Sequence, residues 1–226
     1  ICRVTPAPAR RKPCSGLIEA NGTRLLIDAG GHDLLDRFND TPPDAVLLTH
    51  FHPDHVQGLF PWRWAKLPER PAFHPPDPEG CADLYRNPGF LRFCALVAFA
   101  ELDIGACTIT PLPLAHSKPT FGYGIEHDGQ RLAWLTDTVG LPEPTRTWLA
   151  AWRPHTVVVD CSYPPGFANA RNHNTLDQAV AIISECGAEH GWLTHLGHEV
   201  EAWLADHAAT MPGHVRVALD GHRISS

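Results

Sequence analysis

Leu47-Leu48-Thr49-His50-Phe51-His52-Pro53-Asp54-His55 decides how the rest of the chain is read. The potential metal ligands His50, His52, Asp54 and His55 fall within six residues, directly after the apolar run Ala45-Val46-Leu47-Leu48. Imidazole nitrogen with carboxylate oxygen suits zinc, manganese or iron, and no thiolate stands in the stretch to narrow the choice. A buried strand is rigid, and the turn that follows it can aim several side chains at one point. His50 and His52 point to the same side if the strand geometry continues. Past Pro53, Asp54 and His55 can curl back toward a second ion. A polar turn with surface histidines is the plain alternative, and four ligands at this spacing argue against it.

Outward from that stretch, other strand-like runs end in a ligand-type residue. Ala106 to Leu114 leads to Ala115-His116-Ser117-Lys118, Arg131 to Leu135 to Thr136-Asp137-Thr138, and Gly191-Trp192-Leu193-Thr194 to His195. One histidine at one strand end is common, whereas recurrence through the chain is specific. Asn21-Gly22 predicts a hairpin between Leu17–Glu19 and Arg24–Asp28, and Asp128-Gly129 predicts a second between Phe121–Glu126 and Arg131–Leu135. Helices are expected at His32–Phe38, from Val56, at Cys81–Tyr85 and Phe90–Cys94, at Thr145–Trp152, Leu176–Cys186 and Glu199–Ala209. Strands are expected at Asp44–Thr49, Ala72-Phe73, Leu96–Glu101, Thr156–Asp160 and Val215–Leu219, with His74 in a loop outside the constellation. Asp28 reads either as a carboxylate orienting the histidine loop or as a turn residue bonded to nearby amides.

The 226 residues suffice for one substantial core, and 43% apolar with 19% charged residues reads as globular. No apolar run approaches the ~20 residues of a spanning helix, so no membrane partner is expected. A net charge of −7 without a basic run argues against a nucleic-acid face. Seven cysteines without paired spacing point to reduced thiols and a cytoplasmic setting. Twenty-two prolines, about twice the ~5% average share, imply many rigid loops. No repeat or linker breaks the chain, and one domain over 1–226 is expected; the start at Ile1, without a methionine, reads as a missing N-terminus.

His-x-His-x-Asp-His after an apolar strand resembles the metallo-β-lactamase superfamily. The resemblance implies an α/β fold of αββα type, two mixed β-sheets flanked by helices, and a binuclear hydrolytic site. By resemblance, His50, His52 and His116 would bind one ion, Asp54, His55 and His195 the other, with Asp137 bridging. Two divalent charges roughly 3.5–4 Å apart call for such an anionic bridge, and water between them is acidified toward a nucleophile.

Further stretches resemble the PhnP-type phosphoribosyl 1,2-cyclic phosphate phosphodiesterases of phosphonate catabolism. They are Pro13-Cys14-Ser15-Gly16, Asp54 to Pro61, Pro111 to Lys118, Thr120-Phe121-Gly122-Tyr123, Asp137 to Glu143 and Arg171-Asn172-His173. Nothing in metal binding itself asks for Gln57-Gly58-Leu59-Phe60-Pro61. The family hydrolyses a ribosyl cyclic phosphate, a small molecule, to ribose 1,5-bisphosphate with manganese or zinc. The resemblance marks His173 as proton donor to the leaving sugar oxygen. Lys118, two residues past His116, could reach phosphate as a point charge, and Asp54 joins the two as a catalytic candidate. A structural zinc of that family would retain only Cys2 and His198 here, and two ligands do not close a tetrahedral site. Cys14 is read as a packed thiol. A homodimer stays open. The competing readings are a tRNA 3′-processing endonuclease, which needs a basic surface, and a non-catalytic metal-binding protein of the same fold.

Overall fold

Asn21-Gly22 closes the expected hairpin, with φ of 43° and 80°, the left-handed pair that a tight two-residue turn needs. It joins β1 (Gly16–Ala20) to β2 (Thr23–Ile27) in antiparallel register. A computed structural model describes residues 11–38, 40–207 and 210–224. Beyond the hairpin, β3 (Ala45–Leu47), β4 (Arg70–His74) and β5 (Leu91–Ala95) add in parallel, giving a five-stranded sheet in chain order.

The second sheet has seven strands in the order β12-β11-β10-β9-β8-β7-β6. Its antiparallel part is β6 (Leu102–Ile104), β7 (Cys107–Pro113), β8 (Phe121–His127) and β9 (Gln130–Leu135). Its parallel part continues through β10 (Thr156–Asp160), β11 (His190–Thr194) and β12 (Val215–Val217). Both sheets are mixed, as expected for the αββα fold.

Three apolar clusters account for the layers. Leu25, Ile27 and Leu47 meet Ile109, Tyr123 and Ile125 between the sheets. Leu26, Val46 and Leu48, on the opposite face, pack under α1 (Leu34–Phe38), α3 (Ala82–Arg86) and Trp62. Burial on both faces explains why the run into the histidine motif is continuously apolar rather than alternating. On the far side, Val157, Val159 and Leu193 are covered by α4 (Glu143–Trp152), α5 (Leu176–Glu185) and α6 (His198–His207). Thr175 caps α5 with a capping box to Gln178, the start signal its sequence carries.

Four expectations fail. Phe90–Cys94 is not helical: its helical spacing loses to parallel pairing with β4, and the segment becomes edge strand β5. Leu96–Glu101 is not a strand but a turn, with Phe99 at φ 59° and the Leu96 amide tied to the His74 carbonyl. The helix from Val56 is shorter: α2 (Pro53–Val56) gives way to two 3-10 turns, Gln57–Leu59 and Pro61–Trp64. His74 is not in a loop but ends β4, 6% exposed, its Nδ1–H donating to the Pro75 carbonyl. Among the described residues no helix is long and apolar enough to cross a membrane.

Candidate metal centre

The turn after β3 is seated by backbone contacts before any side chain is considered. The Ala29 amide donates to the His55 carbonyl at 2.7 Å, and the Gly58 amide to the Ala29 carbonyl at 2.8 Å. A Cβ on Gly58 would lie 2.2 Å from the Gly31 carbonyl oxygen, so only glycine permits this approach. Gln57 Nε2 donates to the Gly30 carbonyl at 3.0 Å. Gln57-Gly58 thus has a geometric reason after all: it presses the ligand turn against the end of β2.

On that base, His50 Nε2 and His116 Nε2 approach His52 Nδ1 at 2.8 and 3.1 Å. His195 Nε2 lies 3.3 Å and His55 Nε2 3.7 Å from Asp54 Oδ2. Between these groups sits Asp137, 2% exposed. Its Oδ2 is 3.3 Å from His55, 3.4 Å from His195, 3.9 Å from His50 and 4.0 Å from His116. All seven residues expected as ligands therefore converge. β7, β9 and β11 deliver three of them from the same end of the large sheet, facing the turn after β3.

The outward ring nitrogens fix the tautomers. Asp28 accepts the Thr49 amide and hydroxyl at 2.8 Å each and His55 Nδ1–H at 2.7 Å. Thr49 Oγ1, having donated to Asp28, can accept from His50 Nδ1–H at 3.0 Å. His116 Nδ1–H donates to the Asn172 carbonyl at 2.9 Å, and Ser162 Oγ stands 3.4 Å from His195 Nδ1. Each arrangement leaves Nε2 with a free lone pair facing inward. Asp28, left open between two roles by the sequence, orients the histidine turn.

The electrostatics favour the protonation states that metal binding demands at His50, His52, His116, Asp54 and Asp137, whereas the carboxylates beside His55 and His195 raise both of those rings despite their burial. Burial, with the His55 charge, drives His50 down to about 2, and burial also lowers His52 and His116. The hydrogen bond from His195 holds Asp54 low, and Asp137 is low because its histidine partners outweigh its burial. For His55, burial is outweighed by Asp28 and Asp137, which raise its proton affinity and equally its strength as a donor to a cation. His55 Nε2 and Asp137 Oδ1 are buried without a hydrogen-bond partner. Inward lone pairs, ionised carboxylates and two orphaned buried atoms fit a pair of divalent ions with nitrogen and oxygen donors.

His173 joins the cluster from the loop before α5. Its Nδ1 is 3.3 Å from Asp160 Oδ2 and 3.9 Å from Asp137 Oδ2, and its ring stacks on His195 at 4.7 Å. Asp160 is fully buried and also accepts the Thr138 amide at 2.9 Å and the Asn174 amide at 3.0 Å. Sequence reasoning missed Asp160, although it ends a buried β-branched run as the ligands end theirs. Cys14 is half-buried, and desolvation, followed by the nearby charges of Asp28 and Asp137, raises its thiol well above the ordinary cysteine range, as suits a packed thiol. Lys118 is half-buried, 3.9 Å from Asp77, and its charge helps lower His52. Of the two structural-zinc candidates, Cys2 lies outside the described residues and His198 is exposed at the start of α6.

Fold and site together define a protein of the αββα class with a candidate binuclear metal centre. Residues 23–196 match the family model of the beta-lactamase superfamily domain, and the chain belongs to that family. It is 26% identical over 249 aligned residues to an octanoyltransferase of Porphyromonas gingivalis, covering 98% of this chain and 46% of that protein. It is 30% identical over 171 residues to a ribonuclease Z of Bradyrhizobium diazoefficiens, covering 66% of this chain and 56% of that protein. The chain thus spans about half the length of the curated relatives it matches. Among solved structures, a diphosphatase from the PhnP family superposes with TM-score 0.80 at 22% identity, covering 99% of this chain and 88% of that one.

Proposed function

We propose that the protein is a binuclear metal-dependent phosphodiesterase that hydrolyses 5-phosphoribosyl 1,2-cyclic phosphate to ribose 1,5-bisphosphate in phosphonate catabolism, in the cytoplasm. The observation that carries this reading is the His173–Asp160 pair standing beside Asp137, an acid–base group poised where a leaving oxygen would depart. His50, His52 and His116 would hold one ion, Asp54, His55 and His195 the other, and Asp137 would lie between them. Such ions, when bound, supply Lewis acidity toward phosphoryl oxygens and make water nucleophilic at neutral pH.

The chain's own residues do the rest. Asp160 accepts the Nδ1–H of His173 and fixes the ring, and the imidazolium form then donates its Nε2 proton to the departing sugar alkoxide, a poor leaving group without it, and returns as the neutral Nδ1–H ring. Asp54, with a half-exposed side chain, can orient an incoming water by accepting its hydrogen. Lys118 contributes positive charge near His52.

The ribonuclease Z similarity favours a second reading, a nuclease. Net charge −7 opposes it, because a polyanion needs a basic surface. Phosphorus NMR of the manganese- or zinc-loaded protein with the cyclic ester, a linear diphosphate and a precursor tRNA tests the proposal. Conversion of the cyclic ester to the bisphosphate is expected. Cleavage of the tRNA or the diphosphate without turnover of the cyclic ester would overturn it.

A further inference from the structure

Asn174 directly follows His173 and is fully buried, an uncommon place for a primary amide. Its side chain is bonded at both ends to other loops. The Gly140 amide donates to its Oδ1 at 2.8 Å, and its Nδ2 donates to Asp160 Oδ1 at 3.2 Å and lies 3.4 Å from the Asp160 carbonyl. These partners fix which end is oxygen, since a backbone N–H needs an acceptor and a carboxylate a donor. The backbone of Asn174 is held as firmly. Its amide donates to Asp160 Oδ2 at 3.0 Å, and its carbonyl accepts the Ser162 and Tyr163 amides at 3.0 and 3.3 Å. Thr175, next in the chain, caps α5.

Asp160 thereby receives donors on both oxygens. The Thr138 amide and Asn174 Nδ2 meet Oδ1, and the Asn174 amide and His173 Nδ1–H meet Oδ2. A carboxylate bonded on both sides cannot rotate freely about its Cβ–Cγ bond. Burial raises the Asp160 carboxyl, with the His173 bond and the Asn174 backbone amide opposing that rise. The His173 ring has a second support, its stack on His195 with centroids 4.7 Å apart. Stacking fixes the plane of a ring but not the direction in which its N–H points. That direction depends on where Asp160 holds its Oδ2. Only an amide serves here, because one planar group must accept from Gly140 and donate to Asp160.

We infer that Asn174 is a positioning residue for the proton transfer: it sets the rotation of the Asp160 carboxylate, which in turn aims the His173 ring. The inference rests on the phosphodiesterase reading and deepens it by giving the His173–Asp160 pair a third member. Asn174 acts through Asp160. Its exchange should therefore disturb the departure of the sugar oxygen and leave the holding of the ions alone.

Two measurements on the zinc-loaded protein test it. Proton–nitrogen NMR of the histidine rings reads the His173 Nδ1–H, identified by its disappearance in His173→Ala. Steady-state kinetics compares the ribosyl cyclic phosphate with an aryl phosphodiester. Asn174→Asp keeps the acceptor for Gly140 and removes the donor to Asp160. It should shift or broaden the His173 signal while that of His55, bonded to Asp28, stays in place. It should lower kcat on the cyclic ester by roughly 10- to 100-fold, with KM and zinc content little changed, and barely alter turnover of the aryl ester. An unmoved His173 signal, or a kcat on the cyclic ester equal to wild type, would overturn the inference. Equal losses on both esters, or loss of zinc, would make Asn174 merely structural and overturn it too. Should Asn174→Asp not fold, Asn174→Ala, which adds no charge beside Asp160, decides by the same readings. A wild type that does not hydrolyse the cyclic ester would sink the reaction, and the His173 signal would still decide the positioning. Turnover of the cyclic ester with an unmoved signal would do the reverse.

Discussion

The two sheets contribute to the centre in opposite ways. The five-stranded sheet gives His50, His52, Asp54 and His55 from a single turn after β3, backed by Asp28 and Thr49. The seven-stranded sheet gives one candidate ligand per strand end, His116, Asp137 and His195, each from a different loop. A single turn concentrates donors, so one backbone displacement moves them all. Dispersed strand ends make each donor independent, and the hub Asp137 is reached only by assembling the whole sheet.

The contrast can be broken experimentally. Asp137→Ala should have the largest effect, a loss of activity on the order of 10³-fold or more together with at least one ion. Full metal content by elemental analysis with undiminished turnover would end the hub role. His173→Ala comes next, with a loss of roughly 10²–10⁴-fold on the ribosyl cyclic phosphate and much less on an aryl phosphodiester, whose leaving group needs little protonation. Equal losses on the two substrates would point to binding instead. His173 Nδ1 also lies near His116 and Asp137, so metal content of this variant tells whether the ring serves as donor to an ion or to the substrate.

On the five-stranded side, Asp28→Asn removes the acceptor that orients His55 and bonds Thr49. Metal affinity should fall about 10–100-fold while the fold persists. Competition with a chromophoric chelator measures it, and unchanged affinity would make Asp28 a turn residue only. Gly58→Ala should be the mildest, costing about 1–3 kcal/mol of stability by overpacking against the Gly31 carbonyl. A thermal melt unchanged from wild type would show that the turn can shift to admit a methyl group.

What the sequence disclosed follows the same division. The turn after β3 was legible because its ligands are contiguous and follow an apolar strand. His116, Asp137 and His195 were legible as strand-end residues, but their division between ions came from resemblance alone. Asp160 and Asn174 were not legible. Their roles depend on burial and on partners in other loops, such as Asn174 to Asp160 and Gly140 to Asn174. Helical spacing at Phe90–Cys94 misled because a short edge strand is decided by its neighbour, here β4, rather than by its own periodicity.

Where the sheets meet, the Phe121 amide donates to the Thr49 carbonyl at 3.0 Å and the Tyr123 hydroxyl to the Leu48 carbonyl at 2.5 Å. Both acceptors immediately precede His50. The strand leading to the donor-rich turn is therefore clamped to the opposite sheet by backbone and phenol, independent of any cation. An ion would then fill a socket already cut to size, and exchange of one ion for another would need no unfolding of the strand that carries the donors. Which ion occupies such a socket is set by what the surroundings supply, since imidazole and carboxylate donors accept several of them.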